Sequence, residues 1–339
     1  MKAAFIRRTG PPEVIETGSL PDPQPGPEDV LVRVSACAVN PIDTAIRSGT
    51  VAMPIRFPFV IGCDLAGVVE AVGNRVTTLQ PGERVWGSNQ GLLGRQGTCS
   101  ELASVDARWL YNTPAGIADI TAAAGALVGI TAHLGLVDRA RLEPGETIFI
   151  NGGAGGVGAM VVQIARLLGA RVIAAGSSAS KRTRIATLGA DAVIERPGAD
   201  APADELVRRV REHAPHGVDV WWELAREPNL DSAVDCLAER GRLVLMAGRS
   251  ARPAFPVGPF YVQGCSMHGF VMFKEPWQRQ AAAAIDLNRW MAAGTLRPVV
   301  DSVLPLEAAS DAHRLQEAGT AGQKDAAGRT VIGKIVVVP

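Results

Sequence analysis

Val30, Val32 and Val34 alternate with Leu31, Arg33 and Ser35, and this period of two predicts a strand with one buried face. Gly67-Val68-Val69-Glu70-Ala71-Val72-Gly73 reads as a second strand bounded by glycines. Pro81-Gly82-Glu83-Arg84-Val85-Trp86 reads as a turn feeding a third. Many short strands separated by Gly/Pro turns predict a small, partly open β-barrel over the first hundred or so residues.

The rhythm changes near Ile117. Ile148-Phe149-Ile150 is a short apolar strand, and a glycine cluster follows it. Val157, Val161, Ile164 and Leu168 then form a helical stripe. Beyond it come a strand over 172–175, a helix over 181–188, a strand over 192–194, a strand over 218–222, a helix over 230–237 and a strand over 243–246. Strands alternating with helices of this length predict a parallel sheet covered on both faces. The last seventy residues read as helices over 277–291 and 306–317 and an apolar strand over 334–338. A terminal strand needs a sheet, and the N-terminal barrel is the natural host. The expected division is therefore 1–117 and 267–339 in one domain and 118–266 in the other.

The 339 residues are 47% hydrophobic and 20% charged, with 34 Lys+Arg against 34 Asp+Glu. That balance is ordinary for a globular enzyme and offers no basic surplus for nucleic acid or an anionic membrane. The longest apolar run, 122–137, contains His133 and three glycines, and is short for a bilayer. Residues 1–12 are broken by Arg7, Arg8 and Gly10 and lack the apolar stretch of a signal peptide. The cysteines (Cys37, Cys63, Cys99, Cys236, Cys265) are odd in number and form no C-x-x-C pair. A reducing compartment, the cytoplasm, fits that usage best.

Gly153-Ala154-Gly155-Gly156-Val157-Gly158 fits G-x-G-x-x-G, follows a strand and opens an amphipathic helix. In that setting the glycines permit a tight turn, close approach to a pyrophosphate and close helix–strand packing. Free N–H groups at the helix start then bind phosphate. NAD sites usually place a carboxylate about 20 residues further on, on the ribose hydroxyls. Here no Asp or Glu lies between Thr147 and Ala190, whereas Arg166, Arg171, Lys181, Arg182 and Arg184 do. Ser177, Lys181 and Arg196 suit a 2′-phosphate, so the set favours NADP(H). Any one of these basic residues also fits a solvated helix face.

Several further motifs stand in order. They are Asn40-Pro41-Ile42-Asp43-Thr44-Ala45-Ile46-Arg47-Ser48-Gly49, Phe59-Val60-Ile61-Gly62-Cys63-Asp64-Leu65-Ala66-Gly67, Gln163-Ile164-Ala165-Arg166, Gly241-Arg242-Leu243-Val244 and Gly333-Lys334-Ile335. With the glycine loop they resemble, over essentially the whole chain, the zinc-independent quinone oxidoreductases. These are the zeta-crystallin-like branch of the medium-chain dehydrogenases/reductases. The resemblance implies an α/β protein with a GroES-like, partly open β-barrel catalytic domain, made from both ends of the chain. Into it is inserted a doubly wound, parallel-sheet Rossmann domain, with the active site in the cleft between them. It implies a homodimer or homotetramer, commonly built by extending the Rossmann sheets. By the same likeness Asn40 and Thr131 face the nicotinamide, Gly155, Gly156 and Val157 the pyrophosphate, and Ser177 and Lys181 the 2′-phosphate. Gly248 and the Phe270-Val271-Met272 backbone line the cofactor channel, and Arg329 and Lys334 contact the nucleotide. Asn40 also fits a turn residue, Thr131 a helix-packing residue, and Asp43 and Thr44 read as helix caps.

Zinc-dependent relatives carry Cys at the position of Asn40 and Gly-His-Glu at Gly62-Cys63-Asp64. Cys63 here has no partner Cys or His at matching spacing, and catalytic zinc usually takes three protein ligands. Cys63 reads as a buried apolar thiol, and the five histidines (His133, His213, His216, His268, His313) form no His-x-x-x-His pair. The expectation is an NADPH-dependent enzyme that passes a hydride to a quinone or α,β-unsaturated carbonyl without zinc. Many relatives carry tyrosines at the positions of Ala45 and Val51, which shifts the expected acceptor here toward an enone or enoyl compound. The alternatives are an enoyl-thioester reductase, a zinc alcohol dehydrogenase, against which the missing ligands argue, and a low-turnover NADPH-binding redox sensor.

Overall fold

The computed structural model describes residues 1–198, 201–202, 204–325 and 328–339. The chain forms two compact units, Met1–Ile130 with Pro276–Pro339, and Thr131–Glu275.

The first unit is built on Asp29–Val39, the eleven-residue strand at its centre. Val30, Val32 and Val34 are buried while Arg33 and Ser35 are exposed, as the alternation predicts. They pack with Leu65, Val69, Val85, Val105 and Leu110. From Ala36 to Val39 every residue is buried, because here the closing strand Lys334–Val338 pairs antiparallel with Cys37, Ala38 and Val39. On its far edge that strand runs parallel to Val300–Pro305. Leu65–Val72, Arg84–Gly87 and Leu110–Asn112 continue the seven-stranded sheet, and Leu102–Asp106 also pairs with the central strand. A second sheet holds Glu16–Ser19, Lys2–Ile6 and Phe59–Val60. Among the described residues both sheets are open.

The second unit carries a six-stranded sheet in the order Ala192–Glu195, Arg171–Gly176, Thr147–Asn151, Val218–Glu223, Leu237–Leu245, Ser266–Gly269. Every pairing is parallel. Numbered along the chain this is 3-2-1-4-5-6, the dinucleotide-binding topology, with the order reversing between the first and fourth strands. The strands are near-continuous apolar runs because helices cover both faces. Phe149, Ile173, Trp221, Leu237 and Leu243 are among the buried side chains of one layer.

Two elements differ from the sequence reading. The apolar run near 122–137 lies within one helical stretch, Asp119–His133 continued by π-helical turns over Leu134–Arg139. Its 21 residues are long and apolar enough to cross a membrane, yet 78% of its most apolar window is buried within the protein. It is apolar all round as a core helix must be. The helix expected over 230–237 ends at Cys236, and Leu237 already starts a nine-residue strand. That strand turns at Arg240, whose φ is +61°, and the irregularity hid its first half from the period-two pattern.

Candidate functional site

In the parallel-sheet unit the candidate residues gather at the carboxyl ends of the strands, where nucleotides bind in such folds. The first strand ends at Asn151, and Gly152 turns the chain with φ +117°. Gly155 caps the helix Gly156–Leu167. The glycines divide by role. A Cβ on Gly158 would stand 2.1 Å from the carbonyl oxygen of Gly152, and one on Gly153 would stand 3.0 Å from the Cβ of Ala174. Both are buried and both serve packing. Gly155 is exposed, and a Cβ there would stand 3.9 Å from the Gly152 carbonyl oxygen, an ordinary contact. Nothing in the fold requires glycine at 155, whereas a pyrophosphate approaching the backbone would. Gly156 and Val157 are half-buried, and the first N–H groups of a helix have no partners inside it.

Ser177 is exposed at the end of the second strand. The next residue, Ser178, was not singled out in the sequence; its hydroxyl accepts the N–H of Lys181 at 3.3 Å and caps the helix Ala179–Thr187. The spacing of a hydroxyl just before a helix could have revealed it. Arg196 follows the third strand, its N–H donating to the Gly176 carbonyl at 3.1 Å. Burial, helped by the positive charge of Arg196, holds the Lys181 ammonium below its ordinary pKa. A half-buried ammonium that also feels a second positive charge suits an anion. Other basic residues of this stretch are engaged elsewhere. Arg182 pairs with Glu195 at 2.9 Å, Arg166 donates to the Gly189 carbonyl, and Arg171 to the His213 carbonyl.

Between the first and fourth strands, Asn151 Nδ2 donates to both oxygens of Glu223, at 2.9 and 3.0 Å. Trp221 Nε1 and the N–H of Ala225 complete the buried carboxylate's partners. Asn151 Oδ1 is buried without a hydrogen-bond partner among the described residues. The sequence reading missed this pair. A carboxylate ending the apolar run Val218-Asp219-Val220-Trp221-Trp222 was its signal. Gly248, with φ +77°, turns the chain after the fifth strand. Phe270, Val271 and Met272 follow the sixth; Arg139 stacks over the Phe270 ring at 5.6 Å, Val271 is partly exposed and Met272 is buried. Thr131 is buried in its helix.

In the other unit the structure brings Asn40 and Lys334 together. Asn40 caps the helix Pro41–Ser48, and Asp43 returns the favour by accepting the Asn40 N–H at 2.7 Å. The Thr44 hydroxyl donates to the Pro41 carbonyl. The Asn40 amide donates to Asp64 and to the Ala38 carbonyl, and its oxygen accepts from the Lys334 ammonium. Ser88 donates to Asp64 at 2.6 Å. Burial pushes the Asp43 carboxyl up to about 7, against the opposing hydrogen bond from Cys63. Burial also raises Asp64 and lowers Lys334, while the attraction between them works the other way on each. Arg329 has its contacts elsewhere, with both carboxylate oxygens of Asp325.

Asn40, Cys63 and Asp64 occupy the positions at which zinc-dependent relatives carry Cys, His and Glu. Cys63 is the one thiol at these positions, and burial with the nearby carboxylates of Asp43 and Asp64 raises it well above its ordinary pKa. The Asn40 oxygen already faces an ammonium. No group of three or more His, Cys, Asp or Glu suited to a metal ion occurs among the described residues. This donor set does not fit zinc.

Residues 26–115 match the model of the alcohol dehydrogenase GroES-like domain, and residues 156–288 that of the zinc-binding dehydrogenases. The chain is 33% identical over 317 residues to a quinone oxidoreductase of Sus scrofa, covering 92% of this chain and 93% of that protein. It is 32% identical over 321 residues to an NADPH-dependent alkenal/one oxidoreductase, chloroplastic, of Arabidopsis thaliana, covering 92% of this chain and 72% of the other. Among solved structures, the Escherichia coli quinone oxidoreductase complexed with NADPH superposes with a TM-score of 0.85 at 25% identity, over 100% of both chains.

Proposed function

The chain belongs to the quinone oxidoreductases of the medium-chain dehydrogenase/reductase superfamily, and from that premise we propose that it is an NADPH-dependent reductase of quinones or α,β-unsaturated carbonyl compounds, working without a metal. The observation that carries the reading is the strand-ending glycine loop with its open Gly155, together with Ser177 and Arg196 at the ends of the next two strands and Lys181 in the helix between them. NADPH, when bound, supplies the hydride. Gly155, Gly156 and Val157 present backbone to the pyrophosphate, Gly153 and Gly158 hold that loop in shape, and Ser177, Lys181 and Arg196 take the 2′-phosphate. Gly248 and Phe270, Val271 and Met272 line the cofactor channel, while Asn40 and Thr131 face the nicotinamide. Arg329 is assigned to the nucleotide by likeness to relatives alone. The protein orients the reactants and excludes water, and the carbonyl of the acceptor takes up the developing charge.

Ala45 and Val51, which are joined by a hydrogen bond from the Val51 N–H to the Ala45 carbonyl, offer small apolar surfaces and no hydroxyl. This supports an enone or enoyl acceptor alongside quinones. A homo-oligomer is supported by the edge strand Ser266–Gly269 and the exposed Val257, Tyr261, Val262 and Met267 near it in sequence. Five free thiols support a reducing, cytoplasmic setting.

The test is a panel of phenanthrenequinone, an alkyl enone and an enoyl thioester, each assayed for NADPH oxidation with and without a chelator. Steady turnover with at least one acceptor, indifferent to the chelator, is expected. Stoichiometric NADPH binding with no turnover on any would replace the enzyme with a sensor.

A further inference from the structure

Four strand ends converge on one buried amide. Asn40 follows Asp29–Val39, Lys334 opens Lys334–Val338, Asp64 precedes Leu65–Val72 and Ser88 follows Arg84–Gly87. Asn40 is 1% exposed, Lys334 3% and Asp64 0%. The Lys334 ammonium donates to Asn40 Oδ1 and, at 2.6 Å, to the Val39 carbonyl. Asn40 Nδ2 donates at 2.8 Å to Asp64 Oδ2 and at 3.1 Å to the Ala38 carbonyl. Asp64 Oδ1 is held by the Ser88 hydroxyl. Turned over, the amide would set its NH2 against an ammonium and its oxygen against a carboxylate. Away from water both contacts are strongly repulsive. We propose that Lys334 and Asp64 are positioning residues that hold the Asn40 amide in a single orientation, so that Asn40 serves the reaction only as a hydrogen-bond acceptor, through Oδ1.

An amide has two N–H donors, and both are spent on Asp64 and Ala38. Oδ1 is the only atom of the amide able to accept, and it already takes the Lys334 ammonium and faces the helix start that Asn40 caps. Asn40 therefore cannot donate to the carbonyl oxygen of an acceptor, and any bond it makes to the reactants is accepted at Oδ1. Lys334 in turn could reach a phosphate only by leaving two buried partners, so its place in the mechanism is behind Asn40 and not on the nucleotide. The inference rests on the proposal that Asn40 faces the nicotinamide.

The experiment is a cycle of Lys334→Met, Asn40→Ala and their double variant, reading NADPH Kd by direct titration and kcat with the best acceptor of the panel. Lys334→Met keeps NADPH Kd within twofold and lowers kcat at least tenfold. In the Asn40→Ala background the same substitution changes kcat less than twofold, because its effect passes through the amide it positions. Should Lys334→Met leave Asp64 uncompensated and the chain unfolded, Asp64→Asn/Lys334→Met removes both charges and takes its place in the cycle. A tenfold weaker NADPH Kd at unchanged kcat would make Lys334 a nucleotide ligand and overturn the inference. So would an equal loss of kcat with and without Asn40, or an unaltered kcat in Asn40→Ala. A wild-type chain that neither binds nor oxidises NADPH would instead bring down the functional reading itself.

Discussion

Asn151 and Glu223 face each other across the point where the strand order of the parallel sheet reverses, the amide donating to both carboxylate oxygens at 2.9 and 3.0 Å. They are also register partners at the last positions of the first and fourth strands. The carboxylate gathers Trp221 Nε1 and the Ala225 N–H as well, so one buried group ties two strands to the loop that leaves the fourth. Glu223→Ala strands these donors, each worth about 1–3 kcal/mol when buried and unpaired. Urea denaturation should show a loss of roughly 3 kcal/mol or more, and Glu223→Gln should recover only part of it, since an amide cannot accept from both sides.

In the proposed function Lys181 and Arg196 take the phosphate that distinguishes the two nicotinamide dinucleotides. Charge-assisted hydrogen bonds contribute about 1.5–3 kcal/mol each. Lys181→Ala and Arg196→Ala should each weaken NADPH binding by roughly 10- to 100-fold while leaving NADH binding within about twofold. Titration with both nucleotides checks it.

The loop glycines should separate by experiment. Gly158→Ala forces a Cβ to 2.1 Å from the Gly152 carbonyl oxygen, and thermal melting should show a destabilised protein. Gly155 has φ −75° and ψ 174°, which any residue adopts, with open space around it. Gly155→Val should melt with the wild type yet bind NADPH at least tenfold less tightly.

His313 is buried, and burial first, with the charge of Arg47 second, depresses its pKa from 6.5 to about 3. The unfolded chain therefore binds a proton here that the folded chain refuses. The stability contributed by neutral His313 is complete above pH 6.5 and is lost progressively as pH falls toward 3. Between pH 6.5 and 5 the loss is about 2 kcal/mol at 1.36 kcal/mol per unit. Denaturant midpoints at these two pH values, compared between wild type and His313→Gln, should show the acid limb flattened in the variant.

The parallel sheet was legible because its strands are apolar runs with glycine turns between helical stripes. Five of its six strands can be read so, whereas Ser266-Met267-His268-Gly269 is a short edge strand with polar members and no distinctive period. The glycine loop and the cations near it were likewise visible, since both are local in sequence. The polar cluster around Asn40 was not. Lys334 and Asn40 lie 294 positions apart, and no local period announces a lysine that opens an apolar strand as a buried group. The one hint was chemical: Asp64 and Lys334 each sit in runs otherwise apolar, and buried charges need partners.

The central claim is the grip on a phosphorylated dinucleotide, and calorimetric titration of the wild-type protein with NADPH and with NADH tests it most directly. Saturable one-to-one binding is expected, with NADPH at least about 50-fold tighter, consistent with two charge-assisted contacts. Equal affinities, or tighter binding of NADH, would contradict it.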